Sequence, residues 1–519
     1  MNPPEADLLI IGGGLMGAGL ARAVRDEHPT ARIVMVDTGP AIGTVAGQHL
    51  HDTEDEELWL RYNRRVEAGT QALYVGAETT PDIGPTVVGA PGGMYHLGAF
   101  GQDAAQLPAG AIGWNAGGMG IHWTAATPIP YGAEVFGFVD PDEWAADLAV
   151  ARRLLRVHPD PYGQDEAAAA VVSRLRAVFD GVSAPGRHVQ PMPMAIQPGP
   201  GTGATGGRRG ELRRTGPNVV FPPIGDGSDP AFTLVSDTLC REILMAGARA
   251  TGARVLDLRT GVEREITATT VAVCADALRT PQLLWASGIR PPALGRRLNE
   301  HVFATGRVLV DPGRVPIDLA RVRRPLSGEW CVASHWLPHS GASQPFQGQL
   351  MSSLALGPDL RTPYGYVVAL SWYIPTGIRA ENRVEFSATE TDAAGLPRMR
   401  IRFSYSAEDR RTIAAGLDSQ RRAAEALGDF DPDRDSAVLA PGSSLHYTGT
   451  VRMGPADDGT SVCDPDGRVW GTDNVFVAGN GVIPTPMTAN TTLTGMVTAV
   501  RAARGIGGRS ARAVGAMRS

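Results

Sequence analysis

Residues 7–17 read DLLIIGGGLMG, and this short run constrains the fold more than any other. Asp7 to Ile11 is a near-continuous apolar stretch, the pattern of a strand buried on both faces. Gly12, Gly14 and Gly17 follow in G-x-G-x-x-G spacing, and Leu15 to Arg25 has helical composition. Ile33 to Val36 is a second apolar strand ending at Asp37, 20 residues beyond Gly17. The glycines permit a tight turn and let a pyrophosphate reach backbone N–H groups at the positive end of the helix. An acid at the end of the second strand accepts hydrogen bonds from ribose hydroxyls. Together these signals predict an α/β fold with a Rossmann-type β-α-β unit, and a dinucleotide held by Gly12, Gly14, Leu15, Met16, Gly17, Asp37 and Thr38. The motif alone serves NAD and FAD alike.

Composition removes other classes of function. The chain of 519 residues carries a net charge of −6, so no basic face for nucleic acid or an anionic membrane is expected. All 48 basic residues are arginine, which excludes a Schiff-base lysine and a phosphate-loop lysine. Cys240, Cys274, Cys331 and Cys463 are scattered, with no metal or disulfide spacing, and read as buried free thiols. The start shows no basic, cleavable leader and no stretch reaches membrane-span length, so the expected address is the cytoplasm.

Helical patterns are expected at Glu56 to Ala72, Pro141 to Arg156, Glu166 to Val178, Leu278 to Ser287, Ala407 to Leu427 and Thr492 to Arg504. Strand patterns are expected at Ala253 to Val273, Tyr366 to Tyr373, Arg383 to Phe386, Arg398 to Tyr405 and Val475 to Ala478. Gly89 to Gly120 is glycine-rich with little periodicity, and Pro191 to Arg209 reads as a mobile Pro/Gly loop.

Three segments far apart carry a family likeness. Val475 to Asn480 reads VFVAGN and leads, through Gly481 to Pro484, into Thr488 to Thr494 (TANTTLT). Cys274 to Ile289 reads CADALRTPQLLWASGI, and Gly295 to His301 reads GRRLNEH. These resemble signatures of the glucose–methanol–choline (GMC) flavoproteins, and the likeness spans nearly the whole chain. It implies FAD, held by an FAD-binding domain in three pieces (1–125, 210–305 and 441–519), with an inserted antiparallel-sheet substrate domain (126–209 and 306–440). Cys274, Ala275, Gly479, Asn480, Asn490, Thr491 and Thr492 then join the cofactor set.

Gly117 to Pro128 reads GGMGIHWTAATP, similar to the pyranose-oxidase branch of that family. The match implies that Gly117, Gly118, Met119, His122, Trp123, Thr124 and Ala125 face the cofactor, with Thr124 near flavin N5. It makes His122 the candidate for a covalent bond to the flavin, although some relatives hold FAD without one. His446 opens HYTGTVRMG, and Asn490 lies 44 residues later in the place of the family's second catalytic residue. A histidine with an ordinary pKa of about 6.5 suits the removal of a hydroxyl proton. A neutral asparagine can hold the resulting alkoxide without competing for that proton.

Residues 345–353 (PFQGQLMSS) align with the pyranose-oxidase substrate loop, with Gln349 matching a sugar-contacting glutamine. Ser353 stands where that branch has an aspartate, and Ser371 and Trp372 stand where an arginine is expected. These departures resemble the bacterial glycoside 3-oxidase subgroup, whose members oxidise glycosides, often at C3. The resemblance implies oxidation of a sugar hydroxyl to a ketone, hydride passing to flavin N5, and reoxidation by O₂ to give H₂O₂. A dehydrogenase passing electrons to a quinone or carrier protein, and a lyase using flavin as scaffold, remain open at this point.

Overall fold

The computed structural model describes residues 5–67, 83, 86–199, 211–222, 229–326, 329–357 and 362–516. The apolar run forms the strand Glu5–Ile11, the glycine turn leads into the helix Leu15–Glu27, and Ile33–Val36 pairs in parallel with the first strand, Leu8 opposite Ile33. A continuous apolar strand needs cover on both faces, and all four residues of Ile33–Val36 are buried. The seven-stranded sheet runs Phe232–Val235, Ile33–Val36, Glu5–Ile11, Glu263–Val273, Arg249–Asp257, Thr238–Ala246. The late strand Val475–Val477 pairs in parallel with the end of Glu263–Val273. The closing helix Thr492–Ala516 packs on Leu15–Glu27, so both ends of the chain build one layer.

The second sheet has six antiparallel strands in the order Ser436–Val438, Val302–Leu309, Pro363–Ile374, Gln347–Leu356, Ala333–Leu337, Gln190–Pro191. Side chains alternate across it with period two. Val302, Ala304, Val308, Tyr366, Val368, Leu370 and Leu350 point into a core with the helices Glu166–Phe179 and Ala407–Leu427. Burying each such aliphatic side chain stabilises by about 1.5–3 kcal/mol. The opposite face lines a cavity.

Several expectations shift. The segment matched to a substrate loop is a regular strand, Gln347–Leu356. The glycine-rich region 89–120 contains a hairpin, Gly93–His96 with Ala111–Trp114. The helix begun at Glu56 is described to Glu67, and the rest of that expected helix lies outside the described residues. The expected Pro/Gly loop opens with two short strands, Gln190–Pro191 and Ile196–Pro198, and its residues 200–209 lie outside the described residues. All four cysteines are buried and free. Among the described residues no helix is long and apolar enough to cross a membrane.

Candidate active site

Two cavities meet at Thr124, which lines both. The first, about 260 Å³, lies over the carboxyl ends of the first two strands and is lined by Gly12, Gly14, Leu15, Met16, Asp37, Thr38, Gly118, Met119, Trp123, Cys274, Ala275, Gly479, Asn480 and Thr492. Two glycines of the turn, Gly12 and Gly17, cannot be replaced cheaply. Gly12 has φ +106°, and a Cβ there would strike the Cys274 carbonyl. A Cβ on Gly17 would strike the Gly12 carbonyl, so this glycine packs helix on turn and does not line the cavity. The helix N-cap is Gly14, with no side-chain cap and no acid in the first turn, so its leading N–H groups suit a phosphate. Asp37 is buried at the strand end, and burial pushes its carboxyl up to about 6 against the pull of bonds from the Gly117, Gly13 and Thr38 amides. Its Oδ2 accepts from Gly117 N at 2.6 Å, so the acid also ties the 117–124 segment to the sheet. Cavity, turn, helix end and acid fit a dinucleotide.

Gly117, His122, Ala125 and Thr491 stand behind this lining. Thr491 Oγ1 accepts from Asn480 Nδ2 at 2.7 Å, and Ala125 is buried with φ +67°. His122 is buried, with Nε2 at 3.0 Å from Asn115 Oδ1. Because Asn115 Nδ2 donates to the Gly118 carbonyl, its Oδ1 faces the ring, and His122 Nε2 carries the proton.

His446 and Asn490 both line the first cavity, and their orientations follow from their partners. His301 Nδ1 lies 3.2 Å from the Met487 carbonyl, and His301 Nε2 lies 2.8 Å from His446 Nδ1. Burial lowers the His301 pKa to about 4, so this ring is neutral with one N–H. A carbonyl can only accept, which puts that N–H on Nδ1 and leaves Nε2 to accept from His446 Nδ1–H. Burial and the neighbouring His301 hold His446 well below the usual histidine range. His446 is therefore neutral, with a bare Nε2 lone pair: a base.

Asn490 is fixed in the same way. Trp336 Nε1 donates to Gln347 Oε1 at 3.1 Å, and Gln347 Nε2 donates to Asn490 Oδ1 at 2.9 Å. The Asn490 Nδ2 donor points the other way, 3.3 Å from the Tyr373 hydroxyl. Burial pushes that phenol up to about 12, so it stays protonated.

The second cavity, about 730 Å³, covers the open face of the six-stranded sheet. Gln349, Ser353 and Ser371 line it, with Phe303, Thr305 and Tyr373 beside them. Gln349 Nε2 is buried with no hydrogen-bond partner among the described residues, a donor left for a ligand. Trp372 corrects the sequence reading. It alternates with Ser371 and Tyr373, points into the opposite core and packs near Phe179, fully buried. It cannot touch a substrate.

A dinucleotide cradle, a neutral histidine beside an oriented amide, and a hydroxyl-lined cavity suit an oxidoreductase that acts on an alcohol. Comparison with known sequences sets the family. Residues 201–303 and 379–499 match the two parts of the GMC oxidoreductase family. The chain is 38% identical over 517 residues to a C-glycoside 3-oxidase of Microbacterium trichothecenolyticum, covering 97% of each. It is 37% identical over 516 residues to a C-glycoside 3-oxidase of Arthrobacter globiformis, covering 97% of this chain and 95% of the other. A pyranose 2-oxidase of Tricholoma matsutake is 27% identical over 549 residues, with 96% and 93% covered. The fold also matches the crystal structure of pyridoxine 4-oxidase from Mesorbium loti, with a TM-score of 0.62, 16% identity, and 96% and 98% of the chains covered. The chain belongs to the GMC oxidoreductase family, and it is an enzyme of the FAD class that family defines.

Proposed function

We propose that this enzyme oxidises a secondary ring hydroxyl of a glycoside to a ketone, at C3 in preference to C2. The observation that carries the reading is the bare His446 Nε2 in a cavity that Asn490 also lines. FAD, when bound in the first cavity, supplies the hydride acceptor. His446 Nε2 takes the hydroxyl proton, and its low basicity in the free enzyme keeps it unprotonated and ready. Asn490 Nδ2, aimed by Gln347, donates to the sugar oxygen as negative charge develops there.

Substrate preference follows from the second cavity. Ser353 and Ser371 place small neutral groups where the pyranose-oxidase branch presents charge to a free hexose. Without a charge-assisted hydrogen bond at either position, recognition of that hexose weakens by about 1.5–3 kcal/mol per bond. The space left by the smaller side chains accommodates a sugar carrying an aglycone, in keeping with the names of the two bacterial relatives. Comparing kcat/KM on glucose and on an aryl glucoside decides the matter: the glucoside is expected to be the better substrate by at least about tenfold. Equal efficiency on glucose, or a 2-keto product, returns the chain to the pyranose 2-oxidase pattern. Anaerobic bleaching of the oxidised flavin by the glycoside is expected, and its absence points to a lyase. Oxygen consumption without added quinone separates an oxidase, our reading, from a dehydrogenase.

His122 already donates Nε2–H to Asn115 and stands behind the cavity lining, which favours FAD held without a covalent bond. Flavin released to the supernatant on acid precipitation is the expected result, and flavin retained in the pellet refutes it. We keep the three-piece FAD domain and its inserted substrate domain as our division of the chain, supported by the strands each sheet draws on, with the 305/306 boundary moved back to the start of Val302–Leu309.

A further inference from the structure

Asn490 sits on an irregular stretch between the turn Asn480–Val482 and the helix Thr492–Ala516. Such a stretch has no ladder to fix its amides, so something else must hold them. Glu134, at the end of the short turn Gly132–Glu134, does so from 354 residues away in sequence. Its Oε1 accepts from Thr488 N and from Ala489 N, each at 2.8 Å. Its Oε2 accepts from Tyr131 N at 3.0 Å and from His339 Nε2 at 2.7 Å. Its backbone carbonyl accepts from Thr485 Oγ1 at 3.1 Å.

The Glu134 side chain is 2% exposed. A carboxylate buried so deeply is costly unless every lone pair is met. Here four donors meet it, and two belong to the residues just before Asn490. Burial raises its pKa, but the His339, Ala489 and Tyr131 bonds outweigh burial and hold it below the ordinary value. The Arg187 guanidinium, stacked at 4.7 Å on both Tyr131 and Trp336, adds positive charge on the same side. The gripped segment serves the other catalytic group as well, because the Met487 carbonyl is the acceptor that fixes the His301 tautomer, and through it that of His446.

We propose that Glu134 is a positioning residue for the reaction, holding residues 485–490 so that Asn490 and the His301–His446 pair are set together; this rests on reading His446 and Asn490 as the catalytic pair. A glutamine there presents N–H to donors and breaks at least one bond of the four.

The test is anaerobic flavin reduction in Glu134→Gln, Glu134→Ala and His339→Gln, with His446→Ala as the control. An aryl glucoside is the reductant, or glucose if the wild type reacts only with that. FAD content is expected to stay at the wild-type ratio. The limiting reduction rate is expected to fall by about 10–100-fold, the cost of misplacing a reacting group by about an ångström, with the apparent dissociation constant unchanged. The acid limb of the rate profile is also expected to move to higher pH, as His446 loses its fixed partner while its burial is kept. A role confined to stability lowers Tm and leaves both the limiting rate and the pH profile unmoved. That result overturns the proposal. If Glu134→Ala does not fold, the volume-conserving Glu134→Gln and His339→Gln carry the test. An inactive His446→Ala beside an unaffected Glu134→Gln sinks this proposal alone; a normal rate in His446→Ala sinks the catalytic reading and this one with it.

Discussion

The loops that carry His446 and Asn490 are built on the same device, with one difference. Glu300 holds the first: its Oε2 accepts from Gly442 N at 2.6 Å, and its Oε1 from Ser444 N at 3.1 Å and Ser444 Oγ at 2.6 Å. Ser444 Oγ in turn accepts from His446 N at 3.1 Å. Glu134 holds the second, but with the His339 ring as a partner. Glu134 therefore stays ionised, while burial pushes Glu300 up to about 7 despite its hydroxyl and amide bonds. The Asn490 side is anchored by a permanent charge. The His446 side hangs on a group that changes charge near neutrality, even though His446 itself is held neutral.

The largest effect that can break this comparison is loss of the base. His446→Ala is expected to lower the flavin reduction rate by about 10²–10⁴-fold with FAD still bound. An unchanged rate removes His446 from the chemistry and leaves the two loops with nothing to position. A smaller effect sharpens the Asn490 side. Gln347→Leu keeps similar volume but frees the Asn490 amide to flip, presenting Oδ1 where the alkoxide needs a donor. A rate loss of about 10-fold or more is expected, the scale of one misdirected hydrogen bond, with substrate affinity little changed. A wild-type rate would mean that Tyr373 alone suffices to orient the amide.

These partners show where sequence reading stops. The G-x-G-x-x-G turn and Asp37 were legible because strand, turn and helix are contiguous, and local spacing encodes their geometry. His446 and Asn490 were legible through family motifs. Glu134, Gln347 and Tyr373 were not, because their roles arise from contacts with Asn490 or its neighbours across 117–354 residues of chain. His301 was visible as a motif member, but its role needs the Met487 carbonyl, 186 residues on. Trp372 failed for a different reason. Tyr366 to Tyr373 is apolar on both faces apart from Ser371, and the period-two rule, applied from Ser371, already puts Trp372 on the far side.

A third effect concerns Glu300 and stability, and it tests the difference between the two anchors directly. Glu300 has a folded pKa of about 7 against an ordinary 4.5. Between those values the folded protein binds a proton at this site more tightly than the unfolded chain does. Stability must therefore fall as pH rises from about 4.5 to about 7, and then level off. The gap corresponds to a cost on the order of 3 kcal/mol above pH 7, set against the whole protein's stability. Glu300→Gln cannot ionise, and its amide nitrogen can still donate to the Ser444 hydroxyl. The variant should lose stability at pH 5, where it replaces a neutral acid that already fits the amides, and recover part of that deficit at pH 8. Melting temperatures of both proteins at pH 5 and pH 8 measure this. The wild-type advantage is expected to shrink at the higher pH. A constant difference would show that Glu300 keeps one charge state throughout, and the two loops would then be anchored alike. Glu134→Gln should show no such narrowing between pH 5 and 8, because its folded pKa lies below the ordinary value and its titration falls on the acid side of that window.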